Sequence, residues 1–370
     1  MRLIDKSRLE ENIEQIALYD LSSNNLFGSS YVVMQNGRCA FKKHFGSADP
    51  NGCIPTDDRT VYRLASMTKP ITALAALILI DKGFLSLDDK VKTFIPEFAD
   101  VRVVTESGHD LGMPRTDVSV LHLLTHTSGL GSIKPSKMTG RDLVSMSDTV
   151  TYFLGLGLDF EPFTKQAYSG VAGFDALGMV IEKVSGERLE SFYKREIFEP
   201  LGMSDTTFVP SSEQWGRMMT MHTKAGGKSL VGRVYDGCVF ENFPAEHMAA
   251  GAGLASTSAD YVRFAEALLN DGGGLISGDS FKLYHSTLVP DGVMGNALHN
   301  WGMGVRVITS EDYGPLPVDA FGWSGAYGTH FWVDPINRIT AVFMKNSRFD
   351  GGAGNKSAKR FEEAVFDALK

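Results

Sequence analysis

Arg63-Leu64-Ala65-Ser66-Met67-Thr68-Lys69-Pro70, followed at once by the apolar run Ile71 to Ile80, is the stretch on which the reading of this chain turns. Thr72 to Lys82 is apolar nearly all round, which predicts a buried helix. Gly83 then ends it as a glycine cap. With Ser66 at the N-terminus of that helix and Lys69 three positions on, hydroxyl and amine share one face. A helix N-terminus stabilises developing negative charge. An amine held partly out of water loses its proton more easily and can serve as a base. The pattern alone is not selective, because Ser191-Phe192-Tyr193-Lys194 also matches it. Context separates the two copies: Ser191 falls inside a charged amphipathic segment, where Lys194 reads as a solvated side chain.

On the N-terminal side of this stretch, residues 6–20 place Leu9, Ile13, Ile16 and Ala17 at helical spacing. Ser30 to Phe45 reads as a hairpin: Tyr31-Val32-Val33-Met34 and Cys39-Ala40-Phe41 are strand-like, with Asn36-Gly37 as the turn. Val61 to Leu64 is a short extended run. On the C-terminal side, amphipathic pieces alternate with loops rich in Gly, Ser, Thr and Pro. Val118 to Thr125, Gly173 to Ser185, Leu189 to Phe198 and Ser258 to Asn270 are expected helices, the last capped by Ser258. Residues 211–247 carry no clear pattern. Trp301 to Ile308, Phe321 to Val333 and Ile339 to Lys345 return to strand character, with Asp334-Pro335 and Asn337 as turn residues. Asn355 to Lys370 reads as a closing helix.

Strands at both ends with helices between predict an α+β fold, with one sheet built from both chain ends and a helical insertion. The expected division is a sheet domain from residues 1–83 and 296–370 and a mostly helical insertion from 84–295, forming one catalytic unit. The chain of 370 residues can bury a large core. Its net charge of −8 argues against nucleic acid and against a polybasic membrane contact. Cys39, Cys53 and Cys238 have neither zinc-type spacing nor the numbers of a disulfide framework. Met1 to Lys6 lacks the apolar core of a signal peptide, and Ile71 to Ile80 is too short to span a bilayer, so a cytoplasmic protein is expected.

Three further stretches bear on chemistry. Ala167-Tyr168-Ser169-Gly170 precedes a helix, and a tyrosine in a glycine-flanked turn near a lysine can relay protons to or from a serine oxygen. The alternative is a turn tyrosine packing its ring on the helical layer. Phe321-Gly322-Trp323-Ser324-Gly325-Ala326-Tyr327-Gly328 reads as a strand with glycines about its aromatic, as where a ligand or second backbone comes close. Beside Ser66 its edge would supply an oxyanion N–H; otherwise it is a packed strand with small residues facing a helix. His122 and His126 have the His-x-x-x-His spacing of zinc sites. Leu123 stands where the metalloprotease glutamate belongs and Ser132 where a third ligand would fall, so no metal or other cofactor is expected. No GxSxG motif occurs, which removes the nucleophile elbow of the α/β-hydrolases.

Taken together, the order and spacing of these pieces resemble the serine β-lactamase and penicillin-binding-protein superfamily, more closely its class C β-lactamase-like esterases and peptidases. The matching pieces are Ser66-Met67-Thr68-Lys69, Leu123 to Leu130, Tyr168-Ser169-Gly170, Leu177-Gly178 to Ser185-Gly186, Pro200-Leu201-Gly202-Met203, Gly253 to Thr257, and Gly322-Trp323-Ser324-Gly325 running to Phe331-Trp332-Val333-Asp334-Pro335. The resemblance implies a β-lactamase/transpeptidase-like fold, an antiparallel sheet flanked by helices plus a mostly helical domain with the site between them. It also implies Ser66 as the acylated nucleophile, Lys69 and Tyr168 sharing general base and acid work, and the N–H groups of Ser66 and Ala326 as the oxyanion hole. Two positions depart from the family pattern. Gly170 replaces an asparagine that binds a substrate amide, and Trp323 replaces a lysine or histidine that contacts a carboxylate. With Ser324 and Gly325, these are the expected substrate-binding positions. Arg348 is an alternative carboxylate contact or a surface arginine.

The resulting expectation is a metal-independent serine hydrolase of small or medium carboxylic esters, working through an acyl-enzyme on a small-molecule substrate. The alternatives are a D-amino-acid peptidase, transpeptidase or weak β-lactamase of the same mechanism, acyl transfer to an alcohol or amine, and a non-catalytic binding descendant of the fold.

Overall fold

The computed structural model describes residues 1–134, 144–225, 228–232 and 247–370. Seven strands form one antiparallel sheet: β1 (Gly28–Gln35), β2 (Arg38–Gly46), β3 (His299–Trp301), β4 (Arg306–Ile308), β5 (Phe321–Ser324), β6 (His330–Asp334) and β7 (Ile339–Met344), in the order β2-β1-β7-β6-β5-β4-β3. The N-terminal hairpin turns at Asn36 and Gly37, both at positive φ, with Gln35 opposite Arg38. Its inner strand β1 pairs with the last strand, Ser30 opposite Met344 and Gln35 opposite Ile339. Both chain ends therefore build the sheet, as the strand–helix–strand pattern predicts.

Both faces of the sheet are covered, and the alternation of side chains shows how. Tyr31, Val33, Trp332, Ala341 and Phe343 face one way. They pack against Leu9, Ile13 and Ala17 of α1 (Lys6–Ser22) and against Phe361 and Val365 of the C-terminal helix Lys356–Asp367. Val32, Phe331, Val333, Val342 and Met344 face the other way, into a larger core shared with Leu74 and Leu77 of α2 (Thr68–Asp81). Beyond α2 along the chain come α3 (Met146–Leu156), α4 (Ala172–Ser185) and α5 (Ser258–Leu269); the C-terminal helix is α6. Tyr261 and Phe264 of α5 meet the Phe331 ring at centroid distances of 5.0 and 6.2 Å, so this helix from the middle of the chain lies on the sheet.

Several expected elements are altered in detail. Thr257, not Ser258, caps α5: its backbone is extended and its Oγ1 accepts from the Asp260 N–H. Trp301 to Ile308 is not one strand but the hairpin β3–β4, because the backbone reverses at Gly302-Met303-Gly304 and the Gly302 N–H reaches Val305 O. Phe321 to Val333 likewise folds back on itself as β5–β6 through the turn 325–329. Helix α3 has no counterpart in the periodicity reading. Within 211–247 a short helix, Ser212–Gly216, precedes the antiparallel pair Met221–Ala225 and Lys228–Gly232, while 226–227 and 233–246, including Cys238, lie outside the described residues.

Candidate active site

The segment that enters α2 is tied down on every side. Arg63 exchanges two hydrogen bonds with the Asn346 side chain, its N–H donating to Oδ1 and its carbonyl accepting from Nδ2. The Leu64 N–H donates to Leu254 O, and Leu64 O accepts from Thr329 Oγ1 at 2.9 Å. The next residue, Ala65, has φ +48°, a left-handed conformation that costs a non-glycine residue on the order of 1–2 kcal/mol. Such strain persists only where neighbouring contacts over-determine the backbone, and the ties at Arg63 and Leu64 do so here. The turn sets Ser66 in the short 3₁₀ segment Ala65–Met67, so α2 proper begins two residues after the serine. Met67 O accepts from Tyr261 Oη, and Pro70 O from Tyr284 Oη.

Lys69 lies in the first turn of α2 and is 0% exposed. A buried amine needs partners for its donors. Its Nζ has Gly170 O at 2.7 Å, Gly251 O at 2.9 Å and Ser66 Oγ at 3.4 Å. The rings of Tyr168 and Phe174 flank it, with centroids 4.9 and 5.4 Å away. Ser66 is half-buried, and its hydroxyl faces the amine.

Tyr168 is held by the residues on both sides of it. The Ala167 N–H donates to His126 O, the Ser169 N–H to His126 Nδ1, and Ser169 Oγ to Leu130 O. Trp323 Nε1 donates to Tyr168 Oη at 3.1 Å, fixing the phenol oxygen against the β5 strand. Trp301 stacks on Tyr168 at 5.7 Å and meets Trp323 edge-on at 4.5 Å. An aromatic wall therefore stands where a charged residue of the third motif is expected.

Strand β5 ends against the serine segment. A Cβ on Gly325 would come within 2.2 Å of both Leu64 O and Thr329 Oγ1, so only glycine permits this approach. Ala326, the next residue, is exposed among buried neighbours. Ser324 is 2% exposed, and its Oγ bonds His330 Nδ1 at 2.7 Å; His330 Nε2 in turn meets Glu362 Oε1 at 2.9 Å. Its hydroxyl is thus engaged inside the fold. At Gly170 an added Cβ would meet nothing within 4 Å, leaving open space where the pattern expects an amide side chain.

Ser66, Lys69, Tyr168, Trp323 and Gly170 are therefore joined through direct contacts, and Gly325 and Ala326 sit beside the serine segment. Ser191 and Lys194 are both exposed on a separate helix, Leu189–Tyr193 and its continuation. His122 and His126 do not share a helical face, because the helix ends at Leu124 and His126 has φ +57°. Burial, together with the nearby Lys69 charge, holds the His126 imidazole well below its usual range. Among the described residues no cluster of three or more His, Cys, Asp or Glu could hold a metal ion. Arg348 is exposed and borders a different cavity with Tyr19 and Arg360. Residue reading passed over Gly251, Trp301 and Thr329. Only the GLAST-type stretch that begins at Gly253 hinted at the first.

An antiparallel sheet and a helical layer thus bring a serine, a lysine and a tyrosine together at their junction. The chain belongs to the beta-lactamase family, whose model matches residues 9–364, and it is a serine hydrolase. Among its relatives, Esterase EstB of Burkholderia gladioli is 26% identical, covering 95% of this chain and 94% of that protein. Acyltransferase calJ of Penicillium decumbens is 30% identical over 85% of this chain and 81% of its own length. The solved structure of EstCE1, described as a hydrolase with promiscuous acyltransferase activity, superposes with a TM-score of 0.84 at 22% identity, covering 98% of this chain and 99% of that one. No helix among the described residues is long and apolar enough to cross a membrane.

Proposed function

We propose that this enzyme hydrolyses carboxylic esters through an acyl-enzyme on Ser66. The observation that carries the reading is the Lys69 amine. It is fully buried and fixed by two backbone carbonyls, with Ser66 Oγ as a third polar neighbour at 3.4 Å. Ser66 Oγ attacks the ester carbonyl while its proton passes to the Lys69–Tyr168 pair. The N–H groups of Ser66 and Ala326 receive the negative charge that builds on the carbonyl oxygen. The alcohol departs with the proton that the pair returns, and water, activated by the same groups, cleaves the acyl-enzyme.

The ester preference rests on Gly170 and Trp323. Gly170 offers no side chain to a substrate amide, and Trp323 presents an indole already bonded to Tyr168 rather than a cation. EstB, an esterase by name, accords with this. The decisive test is turnover of p-nitrophenyl hexanoate by Ser66→Ala, read with intact-mass analysis of the acylated enzyme. Hydrolysis and the acyl mass shift should both vanish; normal turnover in this variant would reject Ser66. Faster cleavage of nitrocefin or a D-Ala-D-Ala peptide than of the ester would move the substrate class to the penicillin-recognising enzymes. Transfer to an added alcohol is a second reading, favoured by the acyltransferase name of calJ. It predicts that the alcohol diverts product from acid to new ester.

A further inference from the structure

A cavity of about 460 Å³ is bordered by Trp323, and Arg306 of β4 lies in its lining with His299, Tyr313, Gly354 and Glu362. Arg306 is only 7% exposed, and its Nε is buried without a hydrogen-bond partner. Its guanidinium carbon is 4.8 Å from the Tyr313 ring centre and 5.9 Å from that of Trp323, so two aromatic rings hold the cation in place. The nearest carboxylate oxygen, Glu362 Oε1, is 3.9 Å from Nη2, beyond hydrogen-bond reach, and is already bonded to His330 Nε2 at 2.9 Å. Burial and the Arg306 charge push the His299 imidazole down to about 4, so it adds no positive charge near neutral pH. Lys359 and Glu363, also in the lining, carry opposite charges that offset each other. A buried guanidinium with an unpaired donor is costly, and a carboxylate supplies the planar partner it lacks.

The cavity and the candidate site share Trp323, which lines the cavity and donates from Nε1 to Tyr168 Oη. Ala353 and Gly354, also in the lining, follow Gly351 and Gly352, which pack on the oxyanion turn. The Gly352 N–H donates to Gly325 O, and a Cβ on Gly351 would fall 1.9 Å from Ala326 O.

We infer that Arg306 is a specificity residue that binds a carboxylate at the far end of the acyl chain, so that the preferred substrates are esters of dicarboxylic acids. This rests on the ester reading of the same site. The ester carbonyl meets Ser66, the chain bends past the Trp323 indole, and the distal carboxylate pairs with Arg306. The neutral aromatic wall and the cation thus serve different ends of one substrate.

The test compares p-nitrophenyl hexanoate with the mono-p-nitrophenyl ester of adipic acid, which differs only in its terminal carboxylate. The wild-type enzyme should favour the adipate ester in kcat/KM, and free adipate should inhibit hexanoate hydrolysis. In Arg306→Met the adipate-to-hexanoate ratio should fall about tenfold or more, the worth of a hydrogen-bonded charge. Arg306→Lys, which keeps the charge but not the planar fork, should retain part of the preference and decides the matter if the methionine variant does not fold. A wild-type ratio near one without adipate inhibition, or a ratio unmoved in both variants, overturns the inference. Failure to hydrolyse even the hexanoate ester would strike the ester reading instead. In that case thermal shift with adipate still reports on Arg306: stabilisation of wild type lost in Arg306→Lys supports the site, and no stabilisation rejects it.

Discussion

Lys69 shows how a residue's chemistry follows from what surrounds it. The amine is buried and held by Gly170 O and Gly251 O, carbonyls that lie far from it in sequence. Lys69→Met removes the only basic nitrogen beside Ser66 Oγ among the described residues. It should lower kcat by roughly 10³-fold or more, since nucleophile and base act as a unit; single-turnover acylation checks this. Tyr168→Phe deletes the oxygen that accepts from Trp323 Nε1 and leaves that indole N–H without its partner. If the phenol relays protons, kcat should drop about 10²- to 10⁴-fold; a change confined to KM would assign Tyr168 to binding alone. The serine, lysine and tyrosine were legible because each sits in a short local motif. Arg306 was not, because an arginine in the run Trp301 to Ile308 reads as one polar residue in an ordinary strand.

Strand β5 is the element on which the site depends most. Its last residues run into the Leu64 backbone, and the Thr329 hydroxyl closes the contact at 2.9 Å. Gly325→Ala would drive a Cβ into two oxygens at 2.2 Å, one of them backbone that cannot swing aside. Activity on hexanoate esters should be lost together with a lowered denaturation midpoint; near-normal activity would show that the turn is not rigidly placed. Helix α5 offers a milder test of element stability. Thr257→Ala removes the hydroxyl that caps the Asp260 N–H and should cost about 1 kcal/mol in urea unfolding, with catalysis intact. Every numbered helix except α3, and the first hairpin, were readable from period and turn residues. The division of Trp301 to Ile308 and of Phe321 to Val333 into hairpins was not, because an apolar run through a glycine turn has the same pattern as a longer strand.

Over the whole molecule, buried imidazoles couple folding to pH. Burial pushes His122 and His299 down to about 4 from 6.5, and holds His126 well below its usual range. In the unfolded chain these histidines take up protons near their ordinary value, whereas the folded chain resists until about pH 4. Their contribution to stability is therefore complete above about pH 6.5 and is lost as pH falls toward 4. Urea midpoints at pH 7, 5.5 and 4.5 should decline in that order. His122→Gln, which keeps an acceptor for the Ser119 N–H, should flatten the slope; an identical slope in the variant would exclude His122 as a contributor.

The amino-acid sequence by itself determined which segments are strand-like and which helical, hence a sheet built from both chain ends, and which serine, lysine and tyrosine are candidates for acyl chemistry. These are properties of neighbouring residues, and periodicity and motif spacing report on neighbours. Tertiary structure alone decided that Lys69 is held by Gly170 and Gly251, that Trp323 bonds to Tyr168, and that Arg306 lines a cavity bordered by that indole. Each of those facts joins groups brought together only when the two chain ends close into one sheet. No local pattern carries them, because a side chain's partner across the fold is set by packing and not by its place along the chain.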